Sequence, residues 1–83
     1  MLYFTRAEVA RHSTKDDCWV IARNRVYDVT AYVSRHPGGS YVIASKAGSD
    51  VTQHYDHHLP AAKNIWKQHL IGYLFSRTSC AIL

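Results

Sequence analysis

The sequence predicts an α+β fold, and three observations carry that expectation. Cys18–Ala22 ("CWVIA") and Arg25–Val29 ("RVYDV") are β-prone apolar runs separated only by Arg23-Asn24. A third such run, Ile71–Phe75 ("IGYLF"), reads as a closing strand. Between them lie short segments with their own helix starts and stops, so two or three strands and about five short helices are expected.

The elements follow in order. "TRAE", Thr5 to Glu8, has the capping-box pattern, which places a short helix over about Arg6–Arg11. The two apolar runs after it pair as a hairpin or as neighbouring strands. Thr30 caps a helical turn through Tyr32 and Val33 that stops before Pro37. Ser40 caps a helix over "YVIASKA", which Gly48 ends. Ser49 or Asp50 then caps a further helix carrying Val51, His54 and Tyr55. Pro60 suits a helix start, and Ala62, Ile65, Trp66, His69 and Leu70 recur at helical spacing behind it. Trp19 is expected in the core, and His12 at the surface near a helix end.

Eighty-three residues make one domain, and a domain this small is marginal on hydrophobic burial alone. Cys18 and Cys80 are too few for a disulfide framework and suggest a reduced, cytoplasmic setting. No signal peptide is evident, and no window approaches the roughly 18 apolar residues of a membrane span. The net charge of +4 comes from scattered lysines and arginines, without the concentrated basic face of a nucleic-acid binder. It biases the chain towards acidic partners or anionic surfaces.

Six histidines stand out in the composition, with His54, His57, His58 and His69 falling within sixteen residues. "SRHPGGS" places His36 before a proline that biases it to extended geometry and two glycines that permit close approach. His36 lies between the helices around Tyr32 and Val42, while His57 and His58 lie between those around Val51 and Ile65. Two helical hairpins, each offering an imidazole, could wall a pocket for a flat apolar group ligated from both sides.

From Tyr3 to Leu74 the chain resembles the cytochrome b5 family. The resemblance rests on "YFTRAEVARH", "DDCWV", "VYDVTAYVSRHPGG", "AGSDVT" and "LIGYL", in matching order and spacing. It implies a small mixed β-sheet with two helical hairpins enclosing a non-covalent haem b over residues 3–74, followed by a tail, 75–83. His36 takes the first axial-ligand role, with Pro37, Gly38 and Gly39 setting its angle and leaving room for the haem. For the second ligand, the interval back from Leu70-Ile71-Gly72 lands on His58, with adjacent His57 the alternative and His54 set inside the preceding helix. Val29, Tyr32, Val42, Ile43, Val51, Tyr55, Ala62 and Ile65 match the family's apolar wall, and Trp66 is placed to shield the haem edge. His69 is read as packing or capping.

With both axial positions filled, the resemblance implies a monomeric electron carrier rather than an enzyme. It would take single electrons from a flavin-dependent reductase and pass them to an oxidase, desaturase or hydroxylase. Two departures stand out. Leu59 replaces a family serine beside the second ligand, and Ser40, Tyr41, Ser45 and Lys46 stand where microsomal relatives carry acidic docking residues. The last four residues, "CAIL", fit the C-a-a-X pattern, with Leu83 favouring a geranylgeranyl group on Cys80 and membrane association through it; a plain soluble tail is the alternative. The competing function classes are a haem-free interaction module and a zinc-binding module using His54, His57 and His58.

Overall fold

The computed structural model describes residues 2–35 and 43–75, with residues 34 and 35 described for their backbone alone. Its centre is a five-stranded mixed sheet in the order β1-β5-β4-β3-β2, where β1 is Tyr3–Phe4, β2 Ser13–Thr14, β3 Asp17–Ala22, β4 Arg25–Asp28 and β5 Leu70–Leu74. β1 runs parallel to β5, and the remaining pairs are antiparallel. The helices are α1 (Arg6–Ala10), a 3-10 helix (Thr30–Arg35), α2 (Thr52–Asp56) and α3 (Pro60–Lys67). This is the expected α+β class.

The anticipated hairpin forms, with Val20 opposite Tyr27 and Ile21 opposite Val26. Arg23 and Asn24 both hold positive φ, 53° and 62°, the conformation a two-residue turn needs to match strand twist. Arg23 is tied down on both sides of that strain. Its amide donates to Thr52 Oγ1 (3.0 Å), and its guanidinium makes two 2.9 Å bonds to the Asp56 carboxylate. The hairpin turn is thereby joined to α2. The capping box is also present, with Glu8 N–H donating to Thr5 Oγ1 (3.1 Å) and Thr5 N–H to Glu8 Oε1 (3.0 Å).

Two expectations need correction. Thr30 is not a helix cap: its hydroxyl accepts the Cys18 amide (2.8 Å), and Asp28 Oδ1 takes both the Thr30 amide (3.1 Å) and hydroxyl (2.7 Å). Asp28 therefore performs the turn-starting role. Trp19 is half-buried rather than core, because alternation on β3 sends it to the face opposite Cys18 and Val20. His12 lies at the surface just past α1, as expected, with its ring flat on the Trp19 indole at 3.6 Å and its Nδ1 2.7 Å from Asp17 Oδ1. The helix expected over "YVIASKA" lies partly outside the described residues; Ile43 and Ala44 are helical.

The same alternation divides the core. Cys18, Val20, Ala22, Tyr27 and Val29 face the helices on one side, with Val33, Val51 and Tyr55. Ile21 and Val26 face the other side, with Val9 and Leu74. Gly48–Val51 is stitched along β3. Gly48 N–H donates to Trp19 O (2.6 Å), Ile21 N–H to Ser49 O (2.9 Å) and Val51 N–H to Ile21 O (2.7 Å). That strip launches α2 from a fixed point above the sheet.

Candidate functional site

Between the helix-facing side of the sheet and the helices lies a cavity of ≈ 400 Å³, within the size range of cofactor sites. Its floor is Val20, Val29 and Val51. Tyr32, Ile43 and Lys46 form one side, and Ala62, Ile65 and Trp66 of α3 form the other. Three imidazoles complete the lining: His54, His58 and His69.

α2 and its continuation place Val51, His54, Tyr55 and His58 at i, i+3, i+4 and i+7, on one helical stripe. Two members of that stripe reach the sheet and two reach the cavity mouth. Val51 and Tyr55 are buried, whereas His54 is exposed and His58 half-buried. The His58 ring is oriented by the chain itself. Its Nδ1 lies 2.6 Å from the carbonyl oxygen of His54, which can only accept, so Nδ1 carries the proton. Nε2 is then the unprotonated nitrogen, the form in which imidazole binds a metal, with the backbone bond fixing tautomer and ring angle. Trp66 meets the His58 ring edge-on at 5.6 Å, and also packs edge-on against Tyr27 (5.1 Å) and Tyr55 (4.9 Å).

His57 makes the same bond, Nδ1 to the carbonyl of Gln53 at 2.6 Å, but it is exposed and does not line the cavity. Among the described residues no group of three histidines, cysteines or carboxylates is placed to hold a metal, so His54, His57 and His58 do not make a zinc site.

Six expected wall residues, Val29, Tyr32, Ile43, Val51, Ala62 and Ile65, line the cavity. Tyr55 does not. It is buried behind the wall, 6.2 Å ring to ring from Tyr27, because the rotation of α2 turns it to the sheet. His36, Pro37, Gly38, Gly39 and Val42 lie outside the described residues, as does Cys80. Val20, Lys46, His54 and His69 are lining residues that the expected wall omitted, and Trp66 joins them. His69 was recoverable, since it continues the Ala62, Ile65, Trp66 stripe of α3 by one turn.

Electrostatically the mouth is short of acid. Arg6 Nη1 lies 3.4 Å from Asp50 Oδ2, and Arg23 grips Asp56. Burial tends to raise the Asp50 pKa, but hydrogen bonds from the Thr52 hydroxyl and amide and from Arg6 outweigh it and hold it below 3.8. Asp56 is lowered mainly by its hydrogen bond from Arg23. Cys18, sealed under the site, has its thiol pushed up to about 11 by burial, with Asp28 and Asp17 adding to the effect.

A mixed sheet with an apolar slot edged by a tautomerically fixed histidine defines the chain as a small α+β domain with a cofactor-sized cavity. The family model for "Cytochrome b5-like Heme/Steroid binding domain" matches residues 5–75. The chain belongs to that family. It is 49% identical over 74 residues to a cytochrome b5 of Musca domestica, covering 87% of this chain and 55% of that protein. It is 44% identical over 82 residues to a cytochrome b5 of Drosophila melanogaster, covering 94% and 61%. The chain thus spans a little over half the length of these relatives. Among solved structures, cytochrome b558 of Ectothiorhodospira vacuolata superposes with a TM-score of 0.83 at 32% identity, covering 89% of this chain and 99% of that one. The described half of the site suits a haem: an apolar slot of adequate volume, and an imidazole whose unprotonated nitrogen is Nε2.

Proposed function

We propose that the chain is a non-catalytic electron carrier that holds haem b between His36 and His58. The observation that carries this reading is the His58 ring, fixed by the His54 carbonyl at 2.6 Å on the wall of an apolar cavity. Paired imidazoles also favour haem over steroid among the ligands of the family's description. Held there, haem b would supply one-electron exchange at its iron.

The protein's own contribution is restraint. The His54 carbonyl and Trp66 hold the His58 ring in one orientation, which keeps reorganisation small between oxidation states. Val20, Val29 and Val51 exclude water from the floor. Pro37, Gly38 and Gly39 set the approach of His36. A flavin-dependent reductase as donor and an oxidase, desaturase or hydroxylase as acceptor suit a one-electron carrier working in the cytoplasm. A lipid on Cys80 is a separate proposal, read by the intact mass of protein from its own host. An unmodified chain end would remove it.

Absorption spectra of haem-reconstituted protein test the ligand set. Wild type and His57→Ala should show a low-spin, six-coordinate spectrum, and His36→Ala and His58→Ala should lose it. A His58→Ala protein that keeps it would dismiss the assignment.

A further inference from the structure

The cavity mouth carries an unusual charge arrangement. Residues 29–49 and 57–75, which supply the lining apart from Val20, Val51 and His54, contain no aspartate or glutamate. The only two acids between those segments, Asp50 and Asp56, are closed into ion pairs with Arg6 and Arg23. Among the described residues neither Lys46 nor Lys63 is closed into an ion pair of that kind, though Lys63 acts on Asp56 through space. Lys46 is exposed on the cavity lining, and Lys63 sits with Nζ 5.1 Å from the centre of the Tyr55 ring, on the flank of α3. The same mouth exposes apolar surface: Leu59, next to His58, is 75% exposed, and Ile65, which lines the cavity, 38%.

We propose that this mouth docks a partner protein that presents carboxylates around an apolar centre, with Lys46 and Lys63 as the rim cations and Leu59 and Ile65 as the contact core. An apolar patch ringed by charge is the anatomy of a transient protein interface, in which complementary rim charges set association rate and orientation. A second copy of the chain is repelled by its own like-charged mouth. An anionic membrane is the weaker occupant, because lipid attraction is worth about 1 kcal/mol per basic residue and lipid-binding clusters run to four or more. The proposal rests on the reading of the cavity as the electron-exchange site, since a partner seated here reaches the cofactor edge.

The test uses isotopically labelled, haem-loaded protein titrated with poly-L-glutamate and followed by amide chemical shifts. Shifts should cluster at Lys46, His54, Leu59, Lys63 and Ile65 and should collapse as salt is raised to about 0.2 M. Lys46→Glu/Lys63→Glu should weaken binding at least tenfold. Arg11→Glu/Lys15→Glu changes the net charge equally but lies at the α1–β3 end, and should weaken binding less than threefold. Equal losses in the two pairs would overturn the proposal, as would shifts spread over the whole surface. Binding to vesicles containing 30% phosphatidylserine, without binding to poly-L-glutamate, would assign the face to lipid instead. Absorption spectra of the same samples keep the two readings separate. A wild type that takes up no haem refutes the carrier function, whereas failure of the docking face leaves a normal haem spectrum.

Discussion

Gly48→Ala strains the strip that positions the site. Gly48 sits at φ +80°, where an L-residue pays roughly 1–2 kcal/mol. An added Cβ would lie 3.0 Å from Ser13 Cβ and 3.3 Å from both the Cα and the carbonyl oxygen of Ala10. Ser13 belongs to a two-residue edge strand and can yield, but Ala10 is the last residue of α1 and offers backbone. Overpacking therefore adds about 1 kcal/mol, the low end of its usual range. The total of about 2–3 kcal/mol corresponds to a Tm lower by about 10–20 °C in a domain of this size. Since Gly48 N–H anchors the strip to Trp19 O, the strain also reaches Val51 on the cavity floor, and haem loss should accelerate. Gly48→Asn separates the two costs, because asparagine tolerates the left-handed region but keeps the Cβ. It should recover about half of the lost Tm. Circular-dichroism melts of haem-free protein, with haem transfer to an excess of a haem-scavenging apoprotein, measure both effects. A Gly48→Ala melt within about 2 °C of wild type would refute the strain argument, and an asparagine variant as unstable as the alanine would place the cost in packing alone.

Three further outcomes are expected. In Gly72→Ala the new Cβ would meet Leu2 O and Phe4 Cε2, each at 2.7 Å, so β1 must leave β5. Amides of Tyr73 and Phe75, which donate to Leu2 O and Phe4 O, should then exchange with solvent much faster, and unchanged protection would contradict the close approach. Asp50 and Asp56 ionise more readily folded than unfolded, so their contribution is complete above the unfolded value of 3.8 and is lost as pH falls through the lower folded values. Asp50→Asn/Asp56→Asn should start less stable at pH 6, and the gap to wild type should narrow as pH falls below 3.8; a gap that stays constant would rule this out. Cys18, at about 11, should resist thiol reagents at pH 8 until the chain unfolds. Its unfolded thiol ionises first, near 9.0, so stability should also decline as pH rises from there, and immediate labelling of native protein would show the burial to be overstated.

What could be read from the sequence was local, and what could not was set by partners distant along the chain. The Thr5–Glu8 box and the Arg23–Asn24 turn involve neighbours within a few residues, and both form as expected. β1 and β2 have two residues each, too few to show a period, and β1 finds its partner at Tyr73–Leu74. The stripe Val51, His54, Tyr55, His58 was readable, but its rotation about the helix axis was not. Tyr27 and Trp66 draw Tyr55 inward, and that rotation takes His54 out to the cavity. His57 and His58 show the limit most sharply. Each donates from Nδ1 to the carbonyl four residues back at 2.6 Å, so local backbone chemistry treats them alike. The difference comes from α3, which carries Trp66 to the edge of the His58 ring and leaves His57 in solvent. If that contact selects between them, Trp66→Ala should loosen the His58 ring and weaken haem retention, even though the residue itself donates no ligand. Unchanged haem retention in Trp66→Ala would mean that the His54 carbonyl alone is sufficient to orient the ring.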